Sequence, residues 1–135
     1  MTDVRRALDG SYILLLEDDP ESSLACRALL EANGHAVVPV RGGLEALCRL
    51  RMDPRAASLM ILDLEMPGIG GLDFYRQKAS QPRFAQVPVL ILSGSSSMAT
   101  FRFRDDVKAR LAKPVDVPTL LLEVSRWTGV PSDPR

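Results

Sequence analysis

Three carboxylates, one hydroxyl and one ammonium each follow directly on an apolar run. Glu17 and Asp18 come after YILLL (12–16), Asp63 after LMIL (59–62), Ser93 after VPVLIL (87–92) and Lys113 after RLA (110–112). Gathered within a few ångströms, three carboxylates cannot all stay ionised unaided, because like charges raise one another's pKa. A hard dication relieves that repulsion, and Mg²⁺ takes a few carboxylate oxygens together with waters and phosphate oxygens. Such an ion clamps phosphoryl oxygens while a carboxylate attacks phosphorus, which leaves an aspartyl phosphate. In that chemistry Lys113 neutralises a further phosphoryl oxygen and Ser93 donates a hydrogen bond to one. Asp63, on the central run, is the best placed nucleophile. Taken singly, each of these residues is an ordinary solvated turn position, and DP and MPG are common turn signals. Only their convergence makes a site.

Convergence depends on the elements that carry them. The three strong apolar runs are short and bounded by turns, as strands buried on both faces of a parallel sheet are. Weaker strand signals lie at AVVPV (36–40) and RLA (110–112). Pro39 cannot donate to a ladder and Arg110 is charged, so both segments belong at sheet edges. Helices are expected between the strands. Leu24, Ala28, Leu29 and Ala32 mark the first, and Leu44, Leu47, Cys48 and Arg51 the second. Leu72, Tyr75 and Ala79 mark the third, and Leu120, Leu121, Val124 and Trp127 the last. Asn33-Gly34 ends the first and Gly129 with Pro131 the last. Asp19 suits the N-cap of the first helix, with Pro20 at its first position. Residues 97–109 are expected to form a short or irregular helix, although Phe101 and Phe103 are spaced more like strand.

Strict alternation of strand and helix predicts an α/β fold, a doubly wound five-stranded parallel sheet of order 2-1-3-4-5, flavodoxin-like (βα)5. Every strand then points its carboxyl end at one rim. Strands 1, 3 and 4 are neighbours with 5 beyond them, which collects the five chemical residues in one crevice. Residues 1–10 read as a flexible N-terminal segment, 11–129 as the domain and 130–135 as a C-terminal tail.

The bulk properties narrow the function classes. A chain of 135 residues suits one domain, and 17 basic side chains balance 17 acidic ones, so no net field favours nucleic acid or an anionic membrane. No apolar run approaches a membrane span and MTDVRRALDGS lacks the apolar core of a secretion signal, so a cytoplasmic location is expected. Cys26 and Cys48 match neither a metal nor a redox spacing and are expected as free, buried thiols. His35 is the single histidine, which excludes a two-histidine zinc site; beside Gly34 it reads as structural.

With LLLEDDP, ILDLEMPGIGG, VPVLILSG and AKP in this order and spacing, the sequence resembles the receiver domain of two-component response regulators, over about residues 11–128. The resemblance implies that Asp63 is the phosphoacceptor and that Glu17 and Asp18 are the acidic pair for Mg²⁺. Asp18 would ligate directly, Glu17 through water, and the backbone carbonyl of Glu65 would be a further ligand. Ser93 matches the switch hydroxyl, with small Gly94 leaving the site accessible. Lys113 matches the phosphate-binding lysine, and its bond to Pro114 is expected to be cis.

The resemblance also implies the function. The phosphoryl donor would be phosphohistidine of a sensor histidine kinase or a histidine phosphotransfer protein. Phosphorylation would switch a protein-interaction surface, and hydrolysis would reset it. Such a domain catalyses only its own phosphorylation and dephosphorylation and acts as a switch. Its output would go to a downstream protein or a covalently linked domain, with no direct contact to nucleic acid or membrane.

Departures from the family pattern cluster on one face. Arg110 stands where the family carries Tyr or Phe, and a guanidinium does not turn into a buried pocket as a ring does, since burying an unpaired charge is costly. Phe101 and Phe103 are the candidate substitutes. The stretch from Ser93 to Lys113 is shorter than usual and lacks the small GA turn before the last strand, so the output face is expected to be atypical. Gly70 replaces a common acidic residue, and Glu65, near the site, is expected to alter the rate of dephosphorylation. Two other readings compete. A phosphorylation-independent pseudo-receiver, a pure binding module, should lack the acceptor or the lysine, and both are present. An aspartyl-nucleophile phosphatase would use Glu65 as its second acid but needs a substrate-binding insertion, which the sequence lacks.

Overall fold

Every residue of YILLL is buried, and so are residues 59–63 and 89–92. Segments apolar on both faces need cover on both faces, which a parallel sheet with helices on each side supplies. The computed structural model describes residues 11–53, 55–64, 71–94 and 103–131. Its elements in chain order are β1 (Tyr12–Leu16), α1 (Pro20–Ala32), β2 (Val37–Val40), α2 (Gly43–Met52), β3 (Ala57–Asp63), α3 (Gly71–Ala79), β4 (Val89–Ser93), β5 (Val107–Ala112) and α4 (Val117–Thr128). All strand pairs are parallel and the sheet order is β2-β1-β3-β4-β5, as the alternation predicts. Pro39 lies on edge strand β2, opposite Leu15 of β1.

Alternation of side chains along the strands divides the core in two. Leu14, Leu16, Met60, Leu62 and Ile91 face one way, with Leu47 and Leu50 of α2 and Phe74 and Tyr75 of α3. Ile13, Leu15, Ile61, Leu90 and Leu92 face the other, with Leu30 of α1 and Leu120 and Val124 of α4. Asp19 caps α1, its carboxylate accepting from the Ser22 N–H at 2.9 Å, with Pro20 in the first turn. Asp116 caps α4 in the same way through the Thr119 N–H at 3.1 Å. Gly129 ends α4 in a left-handed conformation at φ 76°, a region open to glycine.

Several helical faces differ from the expected ones. α1 turns Leu30 inward with Cys26 and Leu29 half-buried, while Ala28 and Ala32 are exposed and Leu24 is 67% exposed. α2 buries Gly43, Ala46, Leu47 and Leu50 and leaves Leu44, Cys48 and Arg51 outside. α3 buries Phe74, Tyr75 and Lys78, with Leu72 and Ala79 only half-buried. The reason is common to all three. Small and apolar residues fit two overlapping i, i+3, i+4 stripes in each helix, and packing against the sheet decides which of the two is buried. The expected pair of buried thiols is corrected with them: Cys48 is exposed and only Cys26 is partly covered. Burial pushes the Cys26 thiol up to about 11, so it stays protonated.

The helix expected over 97–109 falls on 97–102, which lie outside the described residues, and on 103–109, which are not helical. Residues 105–106 form a turn, and 107–109 open β5. The strand is longer than RLA because the alternation runs back to Val107: Val107, Ala109 and Leu111 are half-buried, and Lys108, Arg110 and Ala112 are exposed. Val130, read as the start of a tail, is buried.

Candidate functional site

The carboxyl ends of β1, β3, β4 and β5 meet at one rim, and the sheet order sets what stands there. Glu17 follows β1 directly and is 3% exposed, its N–H held by the Val40 carbonyl at 3.1 Å. Asp63 is the last residue of β3 and is 2% exposed. Glu17, half-buried Asp18 and Asp63 each present a carboxylate oxygen, and these lie within 4.8 Å of one another. Lys113, just past β5, places Nζ 2.7 Å from Asp63 Oδ2 and 3.4 Å from Glu17 Oε1. Its backbone N–H donates to the Ser93 carbonyl at 3.1 Å, and its bond to Pro114 is cis. Ser93 ends β4, half-buried, one strand from Asp63.

Three carboxylates against one ammonium leave the cluster negative. Burial raises the Glu17 pKa above its ordinary 4.5, and the hydrogen bond with Asp63 adds to it, against the Asp19 N–H and the charge of Lys113. Burial alone lowers Lys113, but its bond to Asp63 and the two carboxylate charges outweigh that and its pKa is raised. A raised acid holds its extra proton in the folded state, so the contribution of Glu17 to stability falls as pH climbs from the carboxylate range through its folded pKa. Lys113→Ala removes an attraction that opposes this rise. In chelated protein the variant is expected to move the Glu17 titration to higher pH, read by carboxyl-carbon NMR; an unchanged midpoint would contradict the coupling.

The donor set fits a hard dication. It is all oxygen and anionic, without imidazole or thiolate, and is partly covered, which is what Mg²⁺ selects. Beside it a cavity of about 560 Å³ opens between α1 and α4, with Glu17 and Lys113 in its wall next to Leu15, Cys26, Leu92 and Leu120. Lys113, with 31% of its side chain exposed, is therefore reachable from solvent.

Of the residues singled out in the sequence, Glu17, Asp18, Asp63, Ser93 and Lys113 meet at this rim. Glu65 and Phe101 lie outside the described residues. Phe103 and Arg110 form a separate contact: the Arg110 guanidinium sits 4.5 Å from the Phe103 ring centroid, and Phe103 meets Tyr75 edge-on at 5.1 Å. Two features escaped the sequence reading. Gly71 packs directly on the phosphoacceptor candidate, because a Cβ there would overlap the Asp63 carbonyl oxygen and lie 2.9 Å from its carbon. Lys78, fully buried, forms an ion pair with buried Asp106, whose other oxygen accepts from Tyr75 Oη at 2.8 Å. Lys78 sits at i+4 from Phe74 on the buried stripe of α3, a placement that signals an internal partner.

A family model described as response regulator receiver domain matches residues 13–125. The chain is 36% identical over 123 residues to the sensory/regulatory protein RpfC of Xanthomonas campestris pv. campestris, covering 86% of this chain and 16% of RpfC. It is 27% identical over 115 residues to the protein PilH of Pseudomonas aeruginosa, covering 84% of this chain and 93% of PilH. Among solved structures, a response regulator receiver protein from Pseudomonas putida superposes with a TM-score of 0.75 at 29% identity, over 86% of this chain and 96% of that one. The chain thus spans under a fifth of RpfC and nearly all of PilH.

Proposed function

The chain belongs to the response regulator receiver domain family, and on that premise we propose that it is a phosphorelay switch that accepts a phosphoryl group on Asp63. The observation that carries this reading is the pairing of Lys113 Nζ with Asp63 Oδ2 at 2.7 Å inside a cluster of two further carboxylates. A carboxylate oxygen of Asp63 attacks phosphorus of a phosphohistidine, the O–P bond forms as the P–N bond breaks, and the donor imidazole leaves with the electron pair. Lys113 is placed to neutralise a phosphoryl oxygen, and the Ser93 hydroxyl, one strand away, donates to another. Glu17, Asp18 and Asp63, with the carbonyl of Glu65, would hold Mg²⁺. Bound there, the ion offsets the carboxylate charge and that of the incoming phosphoryl group.

The partners in this reading are a histidine kinase or a histidine phosphotransfer protein, and a downstream protein or a covalently linked domain. The chain catalyses its own phosphorylation and dephosphorylation and nothing further. The test is incubation with Mg²⁺ and acetyl phosphate, wild type beside Asp63→Asn, read by intact mass. A phosphoryl adduct is expected in wild type alone, and none forms when the metal is chelated before acetyl phosphate is added. Absence of any adduct in wild type would sink the proposal.

A further inference from the structure

Asp106 stands directly before β5, and both its carboxylate oxygens are bound by side chains of α3. Tyr75 Oη donates to Oδ1 at 2.8 Å and Lys78 Nζ bonds Oδ2. Lys78 also donates to the carbonyls of Ala85 at 2.9 Å and Val87 at 2.7 Å, while Tyr75 Oη accepts from the Arg104 N–H at 2.9 Å. The Asp106 carbonyl accepts from the Val89 N–H at 2.8 Å, which ties the same residue to the start of β4. Tyr75 meets Phe103 edge-on, and Arg110 of β5 covers that ring. At its other end α3 is keyed to Asp63 through Gly71, which has no room for a side chain.

We infer that α3 carries the state of Asp63 to the β5 edge, through the Tyr75–Asp106–Lys78 network and the Phe103–Arg110 contact, in place of an aromatic side chain on β5. This rests on the reading of Asp63 as phosphoacceptor. A buried ion pair is a poor device for stability, since apolar residues of similar volume do as well or better. What it supplies is position: charge-assisted bonds from two residues of one helix to both oxygens of one carboxylate fix residues 103–106 relative to α3. A shift of the Asp63 end of α3 therefore moves Asp106 with it, because packed interiors pass displacement on as a unit. Asp106 and Lys113 stand at opposite ends of β5, about 20 Å apart along the strand, so a response at Asp106 is not a direct effect of charge at Asp63.

Amide NMR in Mg²⁺ with beryllofluoride, a phosphoryl mimic, tests this in wild type, Tyr75→Phe and the double variant Lys78→Met/Asp106→Leu. In wild type, shifts are expected both at the rim and at Arg104, Asp105, Asp106 and Lys108. In both variants beryllofluoride should bind within about twofold of wild type, while the shifts at 104–108 fall by half or more. Tyr75→Phe keeps the ring and the ion pair, and the double variant keeps charge balance and apolar volume, so rim shifts report a folded site in each. Wild-type shifts confined to the rim, or shifts at 104–108 that survive in both variants, would overturn the inference and leave Asp63 phosphorylation standing. No response even at the rim would remove the phosphoacceptor reading, and this inference with it.

Discussion

Asp106→Ala is expected to lower the unfolding free energy by about 3–5 kcal/mol, because it leaves the Lys78 ammonium inside the protein without a counter-charge. Lys78 is 0% exposed, and after the change the carbonyls of Ala85 and Val87 are its remaining acceptors among the described residues. The loss should depend on pH in a definite direction. Burial already holds Lys78 below its ordinary 10.5 despite the opposing attraction of Asp106, and without Asp106 it drops further. A base depressed by folding binds fewer protons folded than unfolded between its folded pKa and its ordinary one, so stability rises with pH across that window. The deficit of Asp106→Ala is therefore largest near pH 7 and partly recovered toward about pH 10, where lysine ordinarily titrates. Urea titrations at the two pH values measure it. Lys78→Met/Asp106→Leu removes both charges and should restore most of the lost stability at pH 7. A single variant as stable as wild type would mean that Lys78 finds water or another acceptor, and that the ion pair does not hold α3 to β5.

The sheet was legible in the sequence because fully buried parallel strands are written as unbroken apolar runs. YILLL, LMIL and VPVLIL leave little choice of register or face, and the rim residues follow from where each run stops. The helices were less legible in detail. Their existence shows in the spacing, but the buried stripe of α1 and α2 is chosen by packing against the sheet, which local sequence does not contain. Leu24 and Leu44 are as apolar as Leu30 and Leu50 and still lie outside. β5 was shortened in the reading because Lys108 and Arg110 mask an alternation that exists on one face only. The pair Lys78–Asp106 was hidden for a different reason. Its members are 28 residues apart, and each alone is an ordinary surface residue type; only the fold brings the two charges inside together. Arg110, by contrast, was visible as an anomaly from the start, and its contact with Phe103 explains how a guanidinium is accommodated there: it stays at the surface and lies over the ring.

Gly71→Ala is expected to be severely damaging for a single added methyl. The added Cβ would overlap the Asp63 carbonyl oxygen and stand 2.9 Å from its carbon and 3.0 Å from Leu64 Cα, all backbone atoms. A flexible side chain yields to such a contact, but here the obstacle is the end of β3. That strand pairs with β1 on one side and β4 on the other, Leu62 with Leu16 and Ile91, and Asp63 with Leu92. The sheet cannot give, so α3 must move away, and Phe74, Tyr75 and Lys78 are drawn out of their contacts together. The stability cost is expected at or above about 3 kcal/mol, the upper end of overpacking penalties. The effect on chemistry should be larger still. Displacing the Asp63 backbone misaligns its carboxylate against Lys113, and a misplacement near 1 Å lowers a positioned reaction by about 10²-fold. Gly42→Ala is the matched control, since a Cβ there meets nothing within 4 Å and its backbone is extended at φ −161°. It should cost less than about 1 kcal/mol and leave the rate of adduct formation from acetyl phosphate unchanged. Equal behaviour of the two alanine variants would show that the α3–β3 contact is loose. Collapse of rate and stability in Gly71→Ala alone would place the glycine of MPGIGG in the positioning of the phosphoacceptor itself, beyond the turn that precedes the helix.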